Sequence, residues 1–239
     1  MIYIFQIDGN VGAGKSTAVN ALQNIMSTIG NCKIPVIYLL EPVSAWESIQ
    51  DSNGENIIEK YYKNQSKYAF SFQMMAFITR IRQIKKLMEY CNNAIVICER
   101  SVFTDKEIFA KMLYDDKKIE EVEYSIYLKW FDEFVVDIPI SGIIYIKTDP
   151  EICETRIIKR NRKGENVPLK YLKNCHSYHE NWLNNTNIPV LTLDGNRNFL
   201  NNFPADWLTT IQTFLIDLSP SLFKPKSLSY DDLTEIIYY

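Results

Sequence analysis

No C-x-x-C pair and no short cysteine–histidine ladder occurs among the five cysteines of this 239-residue chain, which excludes the usual zinc-binding spacings. Cys32, Cys91, Cys98, Cys153 and Cys175 form an odd, scattered set, the pattern of reduced thiols in a cytosolic-type compartment. The two histidines, His176 and His179, stand three apart with no third ligand beside them, so a metal centre built on them is not expected. Also missing is any apolar run near the roughly 20 residues that cross a membrane. The opening Met1–Asp8 carries neither a basic segment nor a small-residue cleavage site, which predicts an unprocessed cytoplasmic protein. Net charge is slight, since 26 Lys and Arg against 29 Asp and Glu leave −3. That balance speaks against a nucleic-acid wrapper or a polybasic membrane binder, so neither nucleic acid nor membrane is expected as a partner. What the chain does have is 46% hydrophobic and 13% aromatic residues, enough to exclude global disorder and to fill a sizeable core.

Five short, almost continuous apolar runs recur at Ile2–Ile7, Val36–Leu40, Ala94–Cys98, Gly142–Thr148 and Ile188–Leu193. Runs of that length without polar alternation suit strands buried on both faces, as in a parallel sheet. Longer segments with helical spacing lie between them, for example Phe70, Met74, Phe77, Ile81, Ile84 and Leu87–Met88. Alternating strands and helices predict a doubly wound α/β domain with a five-stranded parallel sheet flanked by helices. The longest irregular stretch is Ser44–Gly54. After Leu218 the composition shifts to Ser219-Pro220-Ser221, Lys224-Pro225-Lys226 and an acidic tail ending in tyrosine. Residues 1–218 therefore read as one domain and 219–239 as an extension, either a docked arm or a loose tail.

Gly9-Asn10-Val11-Gly12-Ala13-Gly14-Lys15-Ser16-Thr17 matches G-x-x-x-x-G-K-[ST], directly after a predicted strand and opening a predicted helix. In that context backbone N–H groups close around phosphate oxygens, and the helix N-terminus adds partial positive charge. Lys15 is placed to reach the β- and γ-phosphates, and the Ser16 hydroxyl to ligate Mg²⁺. The motif alone names no reaction. Asp51-Ser52-Asn53-Gly54 matches the GTPase D-x-x-G only formally, with no N-K-x-D partner. A motor-type ATPase would end an apolar strand in Asp, whereas the third run here ends Ile97-Cys98-Glu99-Arg100.

Ligands of open α/β sheets sit beyond the carboxyl ends of the strands. The second run ends there in Glu41-Pro42, the third in Glu99-Arg100-Ser101. A carboxylate facing a γ-phosphate is awkward unless it holds Mg²⁺ or takes a proton from an attacking hydroxyl, a role that typically contributes about 10²–10⁴-fold. Further along, Arg156, Lys159, Arg160, Arg162 and Lys163 concentrate five cations in eight residues of an otherwise acidic chain.

With Glu41-Pro42-Val43 and Trp46, Phe72-Gln73, Thr79-Arg80-Ile81-Arg82, Glu99-Arg100-Ser101-Val102-Phe103-Thr104-Asp105, Arg160-Asn161-Arg162, Val167-Pro168-Leu169-Lys170-Tyr171-Leu172 and His179-Glu180-Asn181-Trp182-Leu183, all in order, the chain from residue 1 to about 200 resembles the deoxyribonucleoside kinase family. The resemblance implies a P-loop kinase fold with an arginine-rich lid at about 156–168. It implies transfer of the γ-phosphate of ATP, or another nucleoside triphosphate, to the 5′-hydroxyl of a deoxyribonucleoside, with Mg²⁺, in a homodimer. By the same resemblance, Glu41 is the general base, Arg100 holds that carboxylate and the transferring phosphoryl group, and Glu99 lies near Mg²⁺. Gln73 reads the nucleobase edge, Trp46, Phe72 and Phe109 wall the base, and Tyr62 contacts the sugar. Arg156, Arg160 and Arg162 clamp phosphates from the lid. Glu165 takes the sugar-binding glutamate's role, although the lid between Arg162 and Pro168 is one residue shorter than in close animal relatives.

Family members that prefer thymidine tend to have apolar residues at the positions of Arg80 and Asp105, whereas deoxycytidine and purine deoxynucleoside kinases tend to have an Arg and an Asp. Both are present here, and a buried Arg–Asp pair is costly unless further hydrogen bonds complete it. The expected substrates are deoxycytidine and/or purine deoxynucleosides. Two rivals remain: a nucleoside monophosphate kinase, which would need extra cations for the acceptor phosphate, and a non-catalytic nucleotide-binding module.

Overall fold

A computed structural model of the protein describes residues 1–135, 138–162, 165, 167–199 and 202–223. The lid positions Lys163, Gly164 and Asn166 and the extension from residue 224 onward lie outside the described residues.

The chain runs β1 (Ile2–Asp8), α1 (Lys15–Ile25), β2 (Thr28–Ile29), β3 (Ile34–Leu39), α2 (Val43–Glu47), α3 (Ile57–Lys63), α4 (Gln65–Tyr90) and β4 (Ala94–Glu99). A composite helix follows: α5 (Val102–Thr104), a π-helical turn (Asp105–Ala110) and α6 (Lys111–Asp115). The remainder is α7 (Glu121–Val135), β5 (Ile140–Lys147), α8 (Pro150–Arg160), α9 (Leu169–Asn185), β6 (Val190–Asp194), α10 (Ala205–Leu218) and a 3₁₀ turn (Pro220–Leu222).

The sheet order is β2-β3-β4-β1-β5-β6, with β3, β4, β1, β5 and β6 all parallel. The expectation of five strands falls one short. β2 pairs antiparallel with β3 through only Thr28↔Pro35 and Ile29↔Ile34. Two residues are too few to carry a period, and the strand exists because a tight turn with Gly30 and Lys33 at positive φ folds the chain back on itself. A second difference is α2, inside the stretch read as irregular. Five residues hold a helix there because Trp46 is buried and its indole N–H donates to Thr79 Oγ1 at 3.0 Å.

Strand alternation divides the core into two layers. Phe5, Ile7, Ile95, Ile97, Ile144 and Ile146 face α1, α8 and α10, whereas Ile4, Val96, Cys98, Ile143 and Tyr145 face α4 and α7. On α4 the predicted apolar spacing buries Phe77, Ile81 and Ile84, with Phe70, Met74 and Leu87 packed at the margin. α1 buries Lys15, Ala18, Val19 and Leu22, the i, i+3, i+4, i+7 stripe of a helix lying on a sheet. The first residues after α10 dock rather than hang free: Leu222 is buried in the α1-side layer, and the Phe223 ring lies against Gly30.

From β1 the chain goes to β3, returns to β4 and crosses β1 to reach β5. A crevice opens beyond the carboxyl ends of β1, β3 and β4, and the predicted carboxylates and phosphate loop gather there.

Ile97, fully buried in β4, and Ile158, 71% exposed on α8, give a paired test of this layering. Ile97→Ala should cost about 2–5 kcal/mol and Ile158→Ala less than about 0.5, both read from urea denaturation midpoints at constant slope.

Candidate active site

The turn after β1 wraps back over the start of α1, with Gly9, Gly12 and Gly14 all at positive φ. Gly12 shows why one of these must be glycine. Its φ is +80°, and a Cβ there would lie 2.6 Å from the Cys153 carbonyl oxygen of α8, so the loop is packed too closely beneath for any side chain. The Asn10 carbonyl accepts a hydrogen bond from Lys15 Nζ at 2.8 Å, and the Asn10 amide donates to the Leu172 carbonyl at 2.8 Å. Lys15 is buried. Desolvation, aided by repulsion from Arg100, lowers its pKa to about 8 against the pull of Glu99, Glu41 and Asp8.

Beside the loop stands a buried charge cluster. Glu41 Oε1 accepts from Arg80 Nη2 at 2.6 Å and from Arg100 Nη1 at 2.9 Å. Burial opposes ionisation of Glu41, but Arg100, Arg80 and Lys15 hold its carboxyl well below the usual carboxylate range. Arg80 does more than the sequence indicates. Its Nε lies 3.0 Å from Asp105 Oδ2, its Nη1 donates to the Glu99 carbonyl at 2.9 Å, and its guanidinium sits 5.6 Å over the Trp46 ring. One guanidinium thus joins Asp105 to Glu41. Burial pushes the Asp105 carboxyl up to about 6 against the pull of Arg80, with Glu41 adding to the rise. Arg100 has φ +60° at the end of β4 and stacks 4.8 Å from the Phe109 ring centroid.

These groups open into one cleft of about 630 Å³, the size of a small-ligand site. Of the residues singled out in the sequence, Val11, Gly12, Gly14, Lys15, Ser16, Thr17, Glu41, Trp46, Tyr62, Phe72, Gln73, Arg80, Glu99, Arg100, Asp105, Phe109, Arg156, Arg160, Arg162 and Glu165 line it. Gly9, Asn10 and Ala13 do not. They form the underside of the loop, where Ala13 O accepts from Arg156 Nη1 at 3.1 Å. Gln73 is buried, and its Oε1 has no hydrogen-bond partner, an open acceptor in the wall. Trp46 and Phe72 meet edge to face at 5.4 Å, and Phe72 stacks on Tyr61 at 4.7 Å.

The lid arginines differ from one another. Arg156 ties the loop's underside to the Arg197 carbonyl and lies 5.7 Å from the Phe199 ring. Arg160 makes a forked pair with Glu165, with Nη2 at 2.6 and 2.7 Å from its two oxygens. Tyr61, Ile58 and Phe199 line the cleft but were not singled out in the sequence. Each is an ordinary apolar or aromatic position of its element, with no local motif to mark it.

Ser16 Oγ donates to Glu99 Oε1 at 2.6 Å. Among the described residues no group of three or more His, Cys, Asp or Glu could enclose a metal ion. A hydroxyl and a carboxylate side by side do fit Mg²⁺, which commonly takes one or two carboxylates and completes its shell with water and phosphate oxygens.

A family model described as deoxynucleoside kinase matches residues 5–214. A fowlpox virus protein described as a probable deoxycytidine kinase is 38% identical over 223 residues, covering 89% of this chain and 88% of its own. Human deoxycytidine kinase is 34% identical over 230 residues, covering 83% and 86%. The mitochondrial deoxyguanosine kinase of Xenopus laevis is 31% identical over 228 residues, covering 83% and 83%.

The lowered pKa of Lys15 has a calorimetric consequence. With a free-state value near 8, about half of Lys15 is uncharged at that pH, and a bound triphosphate restores the charge. ATP binding should take up about half a proton at pH 8 and less towards neutrality. Titrations in buffers of different ionisation enthalpy measure that uptake directly.

Proposed function

The chain belongs to the deoxynucleoside kinase family and is an enzyme that phosphorylates deoxynucleosides from a nucleotide donor, and we propose that it uses Mg·ATP to phosphorylate the 5′-hydroxyl of deoxycytidine and/or purine deoxynucleosides. The observation that carries this reading is the Glu41 carboxylate, gripped on Oε1 by Arg80 and Arg100 beside the phosphate loop.

Both guanidinium groups bind the same oxygen, so Oε2 is the atom that takes the 5′-hydroxyl proton. As that O–H bond breaks, the oxygen bonds to the γ-phosphorus, the bond to the β-phosphate oxygen breaks and ADP leaves. A carboxylate held so far below its usual range is a weak base. It suffices because the phosphoryl-transfer transition state is loose and demands charge stabilisation more than early proton removal. Lys15, Arg100 and the lid arginines Arg156, Arg160 and Arg162 supply that stabilisation, Arg100 and the lid through planar forks suited to phosphate oxygens. The loop from Gly9 to Thr17 cradles the donor phosphates with its backbone N–H groups. Ser16 and Glu99 would hold Mg²⁺, whose chemistry is to neutralise charge on the β- and γ-phosphates.

Base preference rests on Gln73, Arg80 and Asp105. The open Gln73 acceptor and the Asp105 carboxylate suit a base edge that donates from an exocyclic amine, as cytosine and adenine do. The substrate named for the fowlpox virus and human relatives, deoxycytidine, supports this choice. Trp46, Phe72 and Phe109 would wall the base, while Tyr62 and Glu165 would contact the sugar. The acceptor end offers Glu41 and Tyr62 rather than extra cations, which disfavours a monophosphate acceptor.

We further read residues 1–218 as one catalytic domain whose lid spans about 156–168. A homodimer through α4 and α7 would cover Ile78, Val122, Ile126 and Trp130, which are all exposed there. No described helix is long and apolar enough to cross a membrane, and the buried thiols Cys98, Cys153 and Cys175 suit the cytoplasm.

A coupled ADP-release assay tests the reading with deoxycytidine, deoxyadenosine, deoxyguanosine, thymidine and their monophosphates. Deoxycytidine or a purine deoxynucleoside should turn over, and Glu41→Gln should lower kcat by about 10²–10⁴-fold. Turnover of monophosphates alone would move the protein to the neighbouring kinase class. Efficient thymidine turnover that collapsed in Arg80→Met would overturn the base assignment.

A further inference from the structure

The chemistry above leaves a buried histidine–carboxylate pair unused. His179, on α9, and Asp8, the last residue of β1, are both fully buried and meet at 3.3 Å between Nε2 and Oδ1. The other ring nitrogen, Nδ1, lies 2.8 Å from the Cys175 carbonyl oxygen and 3.6 Å from Cys175 Sγ. A carboxylate oxygen and a carbonyl oxygen only accept, so satisfying both requires a hydrogen on each ring nitrogen. Those partners assign an imidazolium. The groups packed around it agree: the Tyr145 ring of β5 stacks at 5.8 Å, and the charged or titratable neighbours are Asp8, Cys175, His176 and, beyond Asp8, Arg100. Burial disfavours the charge, yet Cys175 and Asp8 raise the His179 pKa to about 9. Burial likewise opposes Asp8, whose pKa His179, Arg100 and Thr104 lower to about 2.

The carboxylate that His179 holds is joined to the phosphate cradle. Asp8 Oδ1 accepts from the Gly9 N–H at 2.7 Å, and Oδ2 accepts from the Thr104 hydroxyl at 2.7 Å and the Gln6 amide at 3.1 Å. The same helix grips the next residue, since the Leu172 carbonyl accepts from the Asn10 amide. Gly9 and Asn10 are therefore held from beneath by α9, the helix that directly follows the lid. A buried ion pair is weak evidence for stabilisation, so its position matters more. An Asp8 charge left uncompensated would stand under the triphosphate site and compete with Glu41 for Arg100, which both carboxylates attract.

We propose that His179 is a positioning residue for phosphoryl transfer, a buried imidazolium that fixes the first peptide of the phosphate cradle through Asp8 and cancels that carboxylate's charge beneath the nucleotide. The proposal rests on the kinase reading for its kinetic consequences but not for the charge state.

Two measurements on the full chain test it. Nitrogen-15 NMR of labelled histidine has only His176 and His179 to assign. At neutral pH both ring nitrogens of His179 should carry a hydrogen, and a neutral imidazole there overturns the proposal. Steady-state kinetics then compare the wild type with His179→Gln, Asp8→Asn and the double variant. His179→Gln should lower kcat/KM for ATP by about tenfold to a hundredfold, with the deoxynucleoside KM within about twofold. Removing the uncompensated charge in the double variant should recover about tenfold of that loss. A purely structural role would instead lower the melting temperature and the active fraction, leave the ATP KM unchanged and give no recovery; that result refutes the proposal. Should His179→Gln fail to fold, the NMR result on the wild type still decides it, since a neutral imidazole at neutral pH overturns the proposal. A wild type inactive on every nucleoside would sink the kinase reading alone, and ADP affinity across the same variants would replace kcat/KM.

Discussion

Glu41 is largely withdrawn from water and yet held ionised, and these two conditions oppose each other. Burial alone would neutralise a carboxyl. Two guanidinium groups on one oxygen resolve the conflict, and much of the surrounding architecture serves to bring them there. Arg100 arrives through a left-handed residue at the end of β4, a sparsely populated conformation that the flanking ladder and the stack on Phe109 sustain. Arg80 arrives from the middle of α4 because that helix presses Phe77, Ile81 and Ile84 into the sheet and so turns residue 80 towards the strand ends.

The same arrangement would join selectivity to catalysis in the function proposed. Arg80 contacts Asp105 and Glu41 at once, so in the proposed reaction the side chain that completes the base-reading pair would also hold the general base. A change at Asp105 alters the electrostatics of Glu41 without touching it. In that reaction, substituents on the base and the rate of transfer would be coupled over a short chain of contacts, each within hydrogen-bond or ion-pair distance.

Much of this was legible along the chain. Continuous apolar runs marked the parallel strands because both faces of the central β1, β4 and β5 are covered. The phosphate loop was legible because its chemistry demands particular residues at fixed spacing in a strand–turn–helix context. Glu41, Glu99 and Arg100 could be placed because strand ends converge on one crevice in such sheets. What stayed hidden depends on contacts between distant segments. β2 is too short to have a period, and α2 is helical because Trp46 reaches Thr79. The link from Arg80 to Glu41 and the grip of Arg156 on Ala13 and Arg197 are meetings that no spacing announces. Tyr61 and Phe199 look like any other core aromatics until the chain folds them around the cleft.

The two-residue strand at the sheet margin has a consequence for the life of the chain before it is folded. Parallel sheets assemble from distant segments and leave strand edges open while they do so, and an open edge is a template for pairing with another molecule. Here β2 closes the outer side of β3 with so short a ladder that it offers almost nothing to a newcomer. Pro35, opposite Thr28, removes an amide donor at the same rim, and Phe223 with Gly30 adds a bulky cover. The least regular corner of the sheet is the one that protects the chain against sticking to its own copies.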